Sequence, residues 1–174
     1  MSQKISNISK YLDSTFLKTS VELNISKKEL EKIIISFVNE AVEYNFKCVM
    51  IRSNYVSLAK SIILDKKSNV IVGTVVDFPL GTSCFEQKIK EAKEVLKNGA
   101  QELDYVCDYN SFKMGELDSF DESILKCTKI GLEANAVVKW IVETGALSKS
   151  EIKSISKRIY EIVLKNFPDQ ISKV

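Results

Sequence analysis

Short apolar runs alternating with stretches of helical spacing constrain this chain more than any other feature. Residues 11–17, 48–51, 70–76, 99–108 and 136–143 are rich in Val, Ile, Leu and aromatic residues. Between them, apolar side chains recur three and four positions apart. Each run is thus bounded by helical patterns, and such strands read as interior members of a parallel α/β sheet. The run at 99–108 is the most informative. Leu103, Tyr105 and Cys107 alternate in it with Glu102, Asp104 and Asp108, which is the period of a strand. Asp104 therefore lies on the face opposite Leu103 and Tyr105, and Lys139 has the same relation to Val138 and Trp140. If the sheet curls into a barrel, an acid and an amine point into one interior.

The alternation repeats β-α about five times across 174 residues, with no linker, repeat or low-complexity segment, so one domain is expected over 1–174. The helix over 30–42 is the clearest. Leu30, Ile33, Ile34, Phe37, Val38, Ala41 and Val42 keep helix spacing behind a Ser26–Glu29 capping box. Further helices are expected over 56–64, around Ile89 to Leu96, around Phe120 to Cys127, and over 152–162 behind a second box, Ser148–Glu151. Asn98-Gly99 is a helix stop, and Asp77-Phe78-Pro79-Leu80-Gly81 is a forced turn after the third strand. A polar connection containing Gly115 follows the fourth strand. Residues 1–10 are expected to form a short helix or arm, and residues 166–174 at most a short sixth strand.

Charge and cysteine usage narrow the function classes. The 25 basic residues are spread along the chain against 23 acidic ones, and only Arg52 and Arg158 are arginines. Without a basic stripe or an aromatic-interleaved basic patch, nucleic acid is not expected as a partner. No apolar run has the length of a membrane span, and the first residues lack the apolar core of a signal peptide, so a cytoplasmic location is expected. The chain has no His, which argues against a zinc site and excludes imidazole from any acid/base step. Cys48, Cys84, Cys107 and Cys127 form no Cys-x-x-Cys pair and are expected as buried reduced thiols.

Length separates two architectures. A complete (β/α)8 barrel typically needs about 250 residues, with roughly 200 as a lower limit. A five-stranded flavodoxin-like sheet suits the length better, but no Gly-rich phosphate fingerprint follows the first strand. Polar residues also sit at strand interiors where a doubly wound sheet is apolar. At this level Asp104 is either a general acid/base or an acid satisfied within a core. Lys139 is either a site amine or the salt-bridge partner of Asp104 or Glu143. Asp77 reads as a turn residue in preference to a ligand.

Five segments resemble one known family in order and spacing. Asp13-Ser-Thr-Phe-Leu-Lys18 resembles the Asp-His-Thr-Leu-Leu-Lys opening of deoxyribose-phosphate aldolases. Asn54-Tyr-Val-Ser-Leu-Ala-Lys60 resembles the segment after their second strand. Thr74-Val-Val-Asp-Phe-Pro-Leu-Gly81 resembles their Thr-Val-Val-Gly-Phe-Pro-Leu-Gly turn. Gly99-Ala-Gln-Glu-Leu-Asp-Tyr-Val106 resembles Gly-Ala-Asp-Glu-Ile-Asp-Met-Val, and Val138-Lys-Trp-Ile-Val-Glu-Thr144 resembles Leu-Lys-Val-Ile-Leu-Glu-Thr.

The resemblance implies an α/β fold, an incomplete TIM (β/α)8 barrel with about five to six parallel strands. It also implies a class I aldolase reaction: 2-deoxyribose 5-phosphate is cleaved to acetaldehyde and glyceraldehyde 3-phosphate through a lysine Schiff base, without metal or organic cofactor. By resemblance Asp104 matches the proton-relay aspartate and Lys139 the family's lysine on strand five, both catalytic candidates. Asp13 and Thr15 match polar residues at the mouth of the first strand and are candidates for binding a small phosphorylated sugar. The family's strand-two cysteine falls at Met50, and a glycine of the family turn is Asp77 here.

The family motif Asp-Phe-Val-Lys-Thr-Ser-Thr-Gly, aligned on Asp169, places Ser172 where the imine-forming lysine belongs, and Lys173 is one residue late. The second lysine and the phosphate-binding turns have no counterpart in these residues. The expectation is therefore an aldolase-like protein that is inactive as this chain alone, or alternatively a non-catalytic fragment or open-sheet module that works only with a partner chain. Unpaired sheet edges would invite homo-oligomers or other association.

Overall fold

The computed structural model describes residues 8–174. A 3-10 helix at Ile8–Tyr11 meets part of the N-terminal expectation, and residues 1–7 lie outside the described residues. The elements then follow the expected alternation: β1 (Asp13–Phe16), α1 (Lys27–Glu43), β2 (Cys48–Ile51), α2 (Val56–Asp65), β3 (Ile71–Val76), α3 (Phe85–Lys97) and β4 (Glu102–Val106). After β4 come α4 (Tyr109–Met114), α5 (Leu117–Glu133), β5 (Val137–Ile141) and α6 (Lys149–Asn166). Strand order in the sheet is that of the sequence, β1-β2-β3-β4-β5. The described pairings of β1 with β2, β2 with β3 and β4 with β5 are parallel.

The chain groups into two compact units, one ending at Thr74 and including Asn98–Ala100, the other holding Val75–Lys97 and Gln101–Val174. In the first, α1 starts where Ser26 Oγ accepts from the Glu29 N–H at 3.2 Å and the Glu29 carboxylate accepts from the Ser26 N–H at 2.9 Å. Such a box satisfies two of the orphan donors of a helix start. Leu30, Ile34, Val38 and Ala41 bury one face of α1, which packs against α2 through Val56, Ala59 and Ile63. Each large aliphatic side chain so buried contributes roughly 1.5–3 kcal/mol. β1 is held to β2 with Asp13 opposite Cys48 and Thr15 opposite Met50.

In the second unit the core is Cys107, Phe120, Ile124, Ile155, Ile159 and Val163, contributed by α5, α6 and the residue just past β4. Gly131 lets α5 lie directly on β5, because a Cβ there would run into the Val138 side chain. That packing turns Val138, fully buried, toward the helix. By alternation it turns Lys139 the other way.

Two expectations are corrected here. The connection containing Gly115 holds a short helix, α4, capped by Asp108 and closed by Gly115 at φ 80°. Pro168–Lys173 form a 3-10 helix, within the expectation of at most a short sixth strand, with Pro168 in its first turn where a missing N–H costs nothing. Cys48, Cys107 and Cys127 are buried free thiols as expected, but Cys84 is exposed, just ahead of α3. Among the described residues no helix is long and apolar enough to cross a membrane.

Candidate active site

β4 and β5 are in a register that sets Asp104 directly opposite Lys139. Leu103 and Tyr105 go to the other face, where Tyr105 stacks on Trp140 with ring centroids 5.0 Å apart. The Trp140 indole N–H donates to Thr128 Oγ1 on α5 at 3.1 Å, which locks the ring against the helix layer. Packing of the large rings thus fixes which way the ionisable residues point. On their face the Lys139 ammonium lies 3.8 Å from Asp104 Oδ1 and is hydrogen-bonded to Glu102 Oε1. Exposure grades across the three: the Glu102 side chain is 0% exposed, Asp104 16% and Lys139 36%.

Asp104 and Lys139 are therefore brought together. Glu143 follows β5 in a left-handed conformation, φ 55°, at the start of a 3-10 turn. Glu102 was missing from the sequence candidates. Its signal is positional, since it stands two residues before Asp104 and so shares its face of the strand.

Asp13 and Thr15 lie in the first unit. The Asp13 carboxylate is 3.8 Å from the Lys47 ammonium, and Thr15 is exposed beside Met50 in the register. Arg52, just past β2, donates from Nε to the Leu17 carbonyl at 2.6 Å and ties the end of β1 to its neighbour.

No family model matches the chain. It is 35% identical over 145 residues to the deoxyribose-phosphate aldolase of Thermococcus gammatolerans, covering 83% of this chain and 61% of that relative. It is 35% identical over 159 residues to that of Metamycoplasma hominis, covering 90% and 67%. The chain belongs to the deoxyribose-phosphate aldolase family. The tetrameric deoxyribose phosphate aldolase structure from Aeropyrum pernix superposes with a TM-score of 0.71 at 26% identity, over 92% of this chain and 61% of that one. The chain thus spans 61–67% of the length of these relatives. Its five parallel strands in sequential order make an incomplete (β/α)8 barrel.

Asp77, where the aldolase turn has glycine, is a keystone of the loop after β3. It adopts φ 56°, and its carboxylate accepts from the Ser83 N–H at 2.9 Å and the Ser83 hydroxyl at 2.8 Å. Its own N–H donates to Glu91 Oε2 at 2.9 Å, and its carboxylate lies 3.2 Å from the Lys88 ammonium. Lys88, 1% exposed, also donates to the Gly81 carbonyl at 3.0 Å and the Val106 carbonyl at 2.6 Å. The sequence reading passed over this buried lysine, although position 88 falls on the Ala92–Val95 face of α3 by helix spacing.

Burial pushes the neighbouring thiols up, Cys107 to about 12 and Cys127 to about 11, with Lys88 opposing only in part. Both stay protonated and unreactive at neutral pH. On the terminal 3-10 helix of this unit, Ser172 is exposed and Lys173 half-buried. Lys173 there hydrogen-bonds the Asn135 side chain. Because the segment is helical, the face argument that holds for a strand does not apply to it.

Proposed function

We propose that this chain is one partial aldolase barrel domain in which Asp104 and Lys139 handle protons for the cleavage of a phosphorylated deoxy sugar. Asp13 and Thr15 serve as substrate-binding residues, no metal or organic cofactor is used, and the protein is cytoplasmic. The observation that carries this reading is the acid and amine 3.8 Å apart at paired register positions. They lie on the strand face turned away from the helices, at a spacing from which one bound substrate oxygen can reach both. Membership of the aldolase family supplies the substrate class.

The same reading holds that these 174 residues on their own do not cleave sugar. Breaking a carbon–carbon bond beside a hydroxyl leaves an electron pair on carbon, and an iminium is the sink that stabilises it in the transition state. The attacking amine must be neutral. Lys139 has a carboxylate on either side, which favours its charged form. The position aligned with the imine lysine is Ser172. Incubation with acetaldehyde and borohydride, read by peptide mass spectrometry, is expected to leave no ethylated lysine above the level of the denatured chain. A reduced adduct concentrated on one lysine overturns the reading.

A second reading, a polypeptide that works with a partner or as a homo-oligomer, is favoured by an apolar groove of about 210 Å³ beside β5. Trp140, Val142, Ile159, Val163, Ile171 and Val174 line it, and β5 ends the strand order. Apolar residues beside an unpaired strand edge favour association. Sizing over a range of concentrations separates this reading from a monomer.

A further inference from the structure

The group in hydrogen-bonding contact with the Lys139 amine is Glu102, and neither the sequence motifs nor the resemblance assigned it a role. A glutamate with no exposed surface is rare unless it is paired. The register shows how the pair is built. Asp104 stands opposite Lys139, whereas Glu102 stands opposite Val137, two residues earlier on β5. The Lys139 stem therefore leans back along the strand and places its ammonium on Glu102, leaving Asp104 at 3.8 Å, beyond hydrogen-bond range. Of the two carboxylates, the fully desolvated one holds the amine, and the other is 16% exposed.

We propose that Glu102 is a positioning residue, which anchors the Lys139 ammonium beside Asp104 and keeps it charged. Lys139 then acts through its charge and its hydrogens, and it is not an imine-forming amine. The inference rests on the reading of Asp104 and Lys139 as the proton-handling pair. Its failure is distinguishable, because an imine trapped on Lys173 overturns the inactivity of the chain and leaves Glu102 untouched. An imine trapped on Lys139 overturns the role of Glu102.

The test is reductive methylation of the full chain with formaldehyde and cyanoborohydride, read lysine by lysine by peptide mass spectrometry. Lys126 is the internal reference: its side chain is 44% exposed, close to the 36% of Lys139, but its partner Glu122 is itself 47% exposed. In the wild-type chain at mildly alkaline pH, Lys139 is expected to react about ten-fold more slowly than Lys126, because only neutral amine is methylated. Glu102→Gln should raise the Lys139 rate about five-fold or more and shift its pH profile toward lower pH, with Lys126 unchanged. Asp104→Asn should raise it less than about two-fold.

A merely structural role for Glu102 would alter many lysines together and leave no displaced profile at Lys139. Equal wild-type rates for Lys139 and Lys126 overturn the proposal, as does a larger release by Asp104→Asn than by Glu102→Gln. Where Glu102→Gln does not fold, the wild-type ratio and the Asp104→Asn rate decide it.

Discussion

Two lysines in the second unit are each held by carboxylates, and they differ in what else surrounds the ammonium. Lys88 is buried at 1% exposure with three acceptors around its ammonium: the Gly81 and Val106 carbonyls and the Asp77 carboxylate. All three hydrogens of the ammonium are spent within the fold. Lys139 is 36% exposed, hydrogen-bonded to Glu102, with Asp104 at 3.8 Å. Both sit on secondary structure, one on α3 and one on β5. What separates the two lysines is how far each side chain is withdrawn from solvent, 1% against 36% exposure, and residue type alone does not reveal it.

The sharpest way to break this comparison is to remove each amine while keeping its stem. Lys88→Met leaves a carboxylate and two buried carbonyls facing methyl, and is expected to cost about 3–5 kcal/mol. Lys139→Met combined with Glu102→Gln, so that no buried carboxylate is left without its amine, is expected to cost less than half as much. Urea unfolding of the two variants decides it. Equal losses would mean that Lys139 is as structural as Lys88.

A second variant tests whether the loop end of the Lys88 cluster is as tightly determined as its contacts imply. Gly81 has φ 69°, and a Cβ there would lie 2.5 Å from the Cys107 carbonyl oxygen and 2.7 Å from Val106 Cγ1. Those neighbours are backbone and a buried side chain, so neither gives way cheaply. Gly81→Ala is expected to cost about 1–3 kcal/mol by urea unfolding. A neutral outcome would show that the 77–83 loop shifts freely and that Lys88 does not pin it.

The same contrast marks what was legible in the sequence. The two capping boxes, the helix spacing of α1 and the period-two alternation of β4 located the elements, and register then put Asp104 beside Lys139. α4 escaped because a six-residue helix has too few turns to show a period. Its signals were the cap Asp108, which accepts from the Ser111 N–H, and Gly115. Residues 166–174 allowed at most a short sixth strand, and the helix-start character of Pro168-Asp169 is the signal for the 3-10 helix found there. Lys88 was missed because a charged residue beside an apolar helical face reads as solvated. Only the carbonyl ends of the second unit's loop and strand, which no sequence window contains, show what its charge meets.

The smallest expected effect concerns Glu91, which takes the Asp77 N–H beside Lys88. Burial, reinforced by the nearby Asp77 and Glu94 charges, raises this carboxyl above its ordinary 4.5, with the Asp77 hydrogen bond and Lys88 opposing only in part. Over the window between 4.5 and that raised value the native state holds a proton the unfolded chain has released. Stability from this site is therefore present at low pH and lost as pH climbs through the native titration. Glu91→Gln keeps a carbonyl for the Asp77 N–H and removes the titration. Its urea midpoint relative to wild type should rise from weakly acidic pH to neutrality and then level off. A difference that is flat with pH, or that grows toward acid, would show that Lys88 and the Asp77 hydrogen bond outweigh burial at Glu91. The cluster would then tolerate a second buried anion, and Lys88 would carry more unspent charge than its three contacts indicate.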